Sequence, residues 1–310
     1  MPGANLPEQI ELVEVAPRDG LQNEAVLLPV AAKLELIGHA LGAGARRIEA
    51  ASFVNPRAVP QMADAEAVCA GLPQRGDVTW IGLALNRRGA ERALATGRID
   101  QLGAVAVTSD AFAMANQGQT SAGSVEEAGA IIALAKAAGR SGQATIAASF
   151  GCPFSGEVAE DRVVAMAARL AAAGAVEIGL ADTIGVADPA HVARLVARVA
   201  AEIAPLPVRV HFHNTRGTGL ANVWAAIGAG ARVIDAALGG IGGCPFAPGA
   251  TGNVATEDVV YMLERAGIAT GLDLAALIAA NIWLGEIMGR QLPAMVSRAG
   301  PFPPTRAAAA

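Results

Sequence analysis

The sequence predicts an α/β protein, a (β/α)8 TIM barrel with extra C-terminal helices. Short β-branched runs alternate with Ala/Leu-rich helical stretches. The alternation repeats eight times at a spacing of roughly 30 residues, which implies a parallel sheet closed on itself. Ionisable side chains gather where the apolar runs end, and in a barrel that rim carries the chemistry.

The strand pattern falls at 11–17, 47–53, 79–85, 102–108, 144–150, 175–181, 207–213 and 232–238. Helical periodicity fills 30–43, 60–70, 87–96, 125–139, 159–173, 189–203, 217–229 and 256–266. The stretches 171–175 and 227–231 each end a helix before a strand, and Gly174 and Gly230 there suit left-handed C-caps. A further helical region at 272–290 lies outside the eight units. The whole chain, 1–310, reads as one domain, with the barrel over about 10–266 and a helical extension over about 267–300. An open doubly wound sheet fits less well, because no G-x-G-x-x-G follows the first strand.

Composition narrows the function. Hydrophobic residues make up 53% of the chain, so it can bury a large core. The net charge of −5, with no basic block, argues against nucleic-acid binding. No apolar run is long enough to span a membrane, and a strand beginning near Glu11 leaves no room for a leader peptide, so a cytoplasmic protein is expected. Cys69, Cys152 and Cys244 lack C-x-x-C spacing and fit a reducing compartment. Lys33 and Lys136 are the only lysines, and both lie in helical patterns. A Schiff-base aldolase needs a desolvated lysine in its site, so carbon–carbon cleavage here would use a metal.

The sharpest motif is His-Phe-His-Asn at 211–214, closing the run Leu206-Pro-Val-Arg-Val210. Side chains alternate along a strand, so His211 and His213 share a face and can grip one divalent cation. Strand 1 ends in Arg18-Asp19. Asp19 would add an oxygen ligand, and the mixed donor set suits Mg²⁺ or Mn²⁺. Arg18 could hold a developing oxyanion. Glu49 sits within an apolar strand, where a carboxylate needs a partner, and Arg18 is its natural one. Strand 2 also carries Ser52, and strand 6 ends in Asp182. The segment 239–253 holds six glycines and Cys244, and reads as a mobile lid bearing a reactive thiol. Asn253 closes it and could swing in as a metal ligand. Cys152 lines the site at best. Cys69, His39 and His191 are assigned to packing.

These residues resemble the 3-hydroxy-3-methylglutaryl-CoA (HMG-CoA) lyase family. The motifs are Val15-Ala-Pro-Arg-Asp-Gly-Leu-Gln-Asn-Glu24, Ser52-Phe-Val-Asn-Pro56, Val59-Pro-Gln-Met-Ala-Asp64, Gly151-Cys-Pro-Phe154 and Asp182-Thr-Ile-Gly-Val186. To these are added His211-Phe-His213, Gly242-Gly-Cys-Pro-Phe246 and the run from Gly252 to Leu263, so the match spans about 10–298. The resemblance implies a cation on Asp19, His211, His213 and Asn253, Arg18 on the thioester carbonyl, and Cys244 on a mobile loop. It implies support from Glu49, Asp182 and Glu257, with Gln22 lining the site near Arg18. It also implies an acyl-CoA substrate and a homo-oligomer, a dimer. The expected reaction is retro-Claisen cleavage of HMG-CoA to acetyl-CoA and acetoacetate, with His211 or Asp19 as the base. The alternatives are a related branched 3-hydroxyacyl-CoA, a Claisen-type synthase, or a silent metal-binding barrel. Three features depart from the family pattern: Gly179 in place of Ser, Arg216, and a 111–118 segment without lysines. Gly179 would open space on the acyl side, so branches larger than methyl are expected to be accepted.

Overall fold

The computed structural model describes residues 6–243 and 252–302. Eight parallel strands close into a barrel in chain order: β1 (Glu11–Glu14), β2 (Arg47–Ser52), β3 (Thr79–Ala84), β4 (Gln101–Val107), β5 (Ser141–Ala147), β6 (Ile178–Asp182), β7 (Val208–Phe212) and β8 (Val233–Ala236). Closure comes from β1 pairing with β8, with Glu11 opposite Val233 and Glu14 opposite Ala236. Helices cover the outer face of the strands, so β2, β6, β7 and β8 are buried at every position. That double burial is why the strands read as near-continuous apolar runs.

The helices between the strands are α1 (Val30–Gly42), α2 (Ala65–Gly71), α3 (Arg87–Ala95), α4 (Asp110–Gln117), α5 (Ser121–Ala137), α6 (Glu160–Ala172), α7 (Pro189–Ile203), α8 (Gly219–Gly228) and α9 (Thr256–Arg265). The region beyond the eighth unit folds as α10 (Leu274–Met288) and α11 (Val296–Ala299), and α10 packs on α1 and α9. Gly174 (φ 97°) and Gly230 (φ 114°) have the expected left-handed backbone. None of the described helices is long and apolar enough to cross a membrane.

Several boundaries differ from the sequence expectation. The run 11–17 is strand only to Glu14; Ala16–Gly20 forms a π-helical turn. The Glu14 carboxylate causes this break by accepting the Ala16 N–H at 2.8 Å, which folds the chain back instead of extending it. The helical stretch 60–70 splits into a 3-10 turn at Pro60–Met62 and α2. Helix α4 was not foreseen; Ser109 caps it by accepting the Phe112 N–H.

Polar side chains, not branched apolar ones, fill the lower barrel. Arg47 makes paired contacts of 2.9 Å with Glu177 and also reaches Gln101 and Gln143. Above this layer Arg209 donates to Glu177 at 2.7 Å, to Thr145 at 2.7 Å, and to Asp235. A buried charge is tolerated only when paired and hydrogen-bonded, and these groups satisfy one another.

Candidate metal centre and active site

The strand ends around the barrel axis bring four predicted residues together. His211 is the fourth residue of β7, and His213 follows the strand at its mouth. The two Nε2 atoms lie 3.2 Å apart, so both rings do turn the same way. Asp19, from the π-helical turn, places Oδ2 3.8 Å from His211 Nε2. Asn253 arrives because 252–254 returns along β7: Asn214 N–H donates to Gly252 O and Val254 N–H to Phe212 O, both at 3.0 Å. Its amide donates to Asp19 Oδ2 at 2.8 Å and to Ile241 O at 3.1 Å.

This set fits a divalent cation. The donor atoms of Asp19, His211 and His213 all lie within 4.8 Å of one another. Two ligands ~2.1 Å from one ion and at right angles would be ~3 Å apart, close to the Nε2 separation. His213 Nδ1 and Asn253 Oδ1 are buried without a partner among the described residues, and such orphaned groups are rare.

Electrostatics support the arrangement. Burial would raise the Asp19 carboxyl, but Arg18, His211 and His213 hold it far below the ordinary range. Burial disfavours charge on His211, yet its bond to Asp235 and the Asp19 carboxylate raise it overall. Burial and the neighbouring His211 push His213 down to about 4, which keeps it a neutral lone-pair donor. His211 Nδ1 lies 3.2 Å from Asp235 Oδ2. That carboxylate fixes the tautomer with hydrogen on Nδ1 and turns the Nε2 lone pair toward Asp19 and His213.

Arg18 lines the same cleft. Its Nε and Nη2 contact Glu49 Oε2 at 2.6 and 2.5 Å, and Nη1 contacts Asp19 Oδ1 at 2.5 Å. The pairing of Arg18 with Glu49 foreseen in the sequence is therefore present. Gln22 also lines the cleft and carries a buried amide oxygen without a partner among the described residues. A second groove, sharing Gln22, Asn23 and Asn116 with the first, runs outward past Gln61, Gln117 and Gln119.

The other expected support residues lie off the cleft. Asp182 accepts the Val186 and Ala187 N–H groups at 2.9 and 3.0 Å and shapes the loop after β6. Ser52 is buried, its hydroxyl without a partner among the described residues, and does not line the cleft. Glu257 accepts the Gly239 N–H at 3.0 Å on each oxygen and anchors the turn that begins the glycine-rich segment. Cys152 follows β5 by five residues and contacts Ser109 at 3.0 Å, away from the cleft. Cys244 and most of the expected lid lie outside the described residues.

One reading of the departures needs correction. Gly179 does not open the acyl side, because the space above it is taken: a Cβ there would sit 2.8 Å from Arg209 Nη2 and 3.0 Å from Cζ. Arg216 does not reach the cleft; it donates to the carbonyls of Ile184 and Gly185, both at 2.9 Å. The sequence reading also passed over Arg209 and Asp235. Arg209 stands two residues before His211 on the same strand face, and Asp235 is the register partner of His211 on β8. Charged residues inside apolar strand runs were the available signal.

The chain is similar to known proteins over nearly its whole length. The HMGL-like family model matches residues 9–282. The (R)-citramalyl-CoA lyase of Chloroflexus aurantiacus is 46% identical, covering 96% of both chains. A 3-hydroxy-3-isohexenylglutaryl-CoA/hydroxymethylglutaryl-CoA lyase of Pseudomonas aeruginosa is 40% identical over 92% of this chain and 95% of its own. An HMG-CoA lyase structure from Acinetobacter baumannii, in complex with coenzyme A and 3-methylmalate, superposes with a TM-score of 0.91 at 41% identity, covering 96% of each chain. By sequence, by barrel and by family model, this chain belongs to the HMGL-like family of carbon–carbon lyases.

Proposed function

We propose that the protein is a divalent-metal-dependent lyase that releases acetyl-CoA from a carboxylated 3-hydroxyacyl-CoA. The observation that carries this reading is the convergence of Asp19, His211, His213 and Asn253 beside Arg18 in one cleft. These four residues would hold Mg²⁺ or Mn²⁺. Such a cation supplies Lewis acidity, which lowers the pKa of a chelated substrate hydroxyl.

The chain's own groups would do the rest. With Nδ1 of His211 bonded to Asp235 and Nε2 turned to the cation, His211 has no lone pair left for the hydroxyl proton, so the other candidate, Asp19, would accept it at a carboxylate oxygen. The bond between C2 and C3 then breaks. Its electron pair passes into the thioester as an enolate, while C3 becomes the carbonyl of an oxo acid. Arg18, fixed by Glu49, offers its planar fork to the enolate oxygen. A proton delivered to C2 completes acetyl-CoA; Cys244 is the donor the sequence suggests. The outward groove, rich in side-chain amides, suits the amide-bearing pantetheine arm of CoA.

HMG-CoA, the substrate the resemblance implies, would give acetoacetate. Citramalyl-CoA, named for the relative at 46% identity, would give pyruvate. Purified protein with Mg²⁺ and each thioester decides between them, by measuring acetyl-CoA and identifying the oxo acid with pyruvate- and acetoacetate-specific dehydrogenases. The reading predicts acetyl-CoA with a matching amount of one oxo acid. No acetyl-CoA from either thioester would contradict it.

A further inference from the structure

Resting on the lyase reading above, we propose that Arg209 grips the substrate carboxylate. We further propose that it selects thioesters whose carboxylate is attached directly to the hydroxyl-bearing carbon. Arg209 lies two residues before His211 on β7, one inward-facing position deeper in the barrel. Its guanidinium lies across Gly179 toward β5, with Nη2 donating to Thr145 Oγ1 at 2.7 Å. Any side chain at 179 would collide with it, since a Cβ there would be 2.8 Å from Nη2 and 3.1 Å from Thr145 Oγ1. Glycine at 179 therefore admits a guanidinium to the floor of the cleft.

Arg209 and Thr145 both line that cleft, below the Asp19–His211–His213 cluster. Nε of Arg209 is used by Glu177, one Nη1 hydrogen by Asp235 and one Nη2 hydrogen by Thr145. A guanidinium has five N–H donors, so one remains on each terminal nitrogen without a partner among the described residues. Two free N–H donors on one guanidinium can serve the two oxygens of a carboxylate. Glu177 is already paired through Arg47, so Arg209 is not needed to neutralise it.

Depth sets the substrate class. With the guanidinium occupying the floor, little room remains beneath the metal cluster. A carboxylate on the carbinol carbon itself reaches Arg209 while the hydroxyl stays beside His211. One methylene more, as in HMG-CoA, pushes the carboxylate into the space the guanidinium fills. The site is then built for a 2-hydroxy-acid terminus, and cleavage leaves a 2-oxo acid.

The test compares kcat/KM for citramalyl-CoA and HMG-CoA in the wild type, Arg209→Met and Gly179→Ala, with melting temperatures and Mn²⁺ affinity measured alongside. Arg209→Met leaves Glu177 on Arg47 and Asp235 on His211. Gly179→Ala keeps the charge and displaces it. We expect each variant to lose about 10²-fold in kcat/KM for citramalyl-CoA, carried mainly by KM, because a buried carboxylate is left without its partner. HMG-CoA turnover should change far less, and Mn²⁺ affinity should hold. Equal losses on both thioesters in the folded variants would show that Arg209 is structural and overturn the inference. Failure of the wild type to release acetyl-CoA from either thioester would instead remove the lyase reading on which it rests. Should Gly179→Ala fail to fold, Arg209→Met decides alone.

Discussion

Arg18 is held by a carboxylate on either side, Glu49 and Asp19, and still lines the cleft. Replacing it with lysine keeps a charge but loses the planar fork that both partners grip. Arg18→Lys should fold normally and release acetyl-CoA about 10²-fold more slowly, in line with the loss of an oxyanion donor; an unchanged rate would remove Arg18 from the chemistry. Asp235 acts one step further back, through His211. Asp235→Asn should weaken Mn²⁺ binding by about 10- to 100-fold, the usual cost of losing the carboxylate behind a histidine ligand. Calorimetry reads this directly, and an unaltered Kd would show that Asp235 only neutralises Arg209. At this scale the sequence was informative where a residue type is rare: two of four histidines in one strand, and Arg-Asp at a strand end. It was silent on Arg209 because nothing in one sequence shows that Gly179, 30 residues earlier, leaves the space its guanidinium fills. That is a relation between neighbouring strands, and it reversed the expectation of a roomier acyl side.

At the scale of elements, Glu14 ties three segments together. One oxygen accepts the Ala16 N–H at the start of the Arg18–Asp19 turn and the Leu238 N–H after β8; the other accepts the Thr256 hydroxyl at the start of α9. Burial pushes this carboxyl up from 4.5 to about 7, against the lowering effect of the bonds it accepts. Glu257 beside it is pushed up to about 8, again mainly by burial. A folded-state pKa above the unfolded value means that the folded protein holds the proton more tightly. The Glu14 contribution is thus full below 4.5 and is lost as pH rises through about 7. Glu14→Gln keeps the acceptor for both backbone N–H groups and removes the titration. Its melting temperature should therefore fall less than that of the wild type between pH ~5 and ~8, with the remaining slope due to Glu257. Parallel curves for the two proteins would contradict this. The eight strands and most of the helices, though not α4, were readable from periodicity, since apolar runs and Ala/Leu stretches differ in period. The ends were not, because side chains such as Glu14 and Ser109 capture local N–H groups and end one element or start another.

For the whole molecule, closure of eight strands gathers at one point residues that lie more than 230 positions apart, from Asp19 to Asn253. The alternation of strand and helix made that closure legible, and the resemblance made the donor set legible. The contents of the lower barrel were not, because Arg47, Gln101 and Gln143 on three strands and Glu177 just before a fourth look like unrelated polar interruptions until the barrel closes. The central claim is that Asp19, His211, His213 and Asn253 form one cation site on which acetyl-CoA release depends. It is tested most directly by titrating Mn²⁺ into chelator-stripped protein while following metal binding and acetyl-CoA release together, in the wild type and in His213→Ala. One ion should bind per chain, activity should return in step with its binding, and His213→Ala should lose both while keeping its fold. Acetyl-CoA release that persists in the stripped protein, or wild-type metal binding in His213→Ala, would contradict the account.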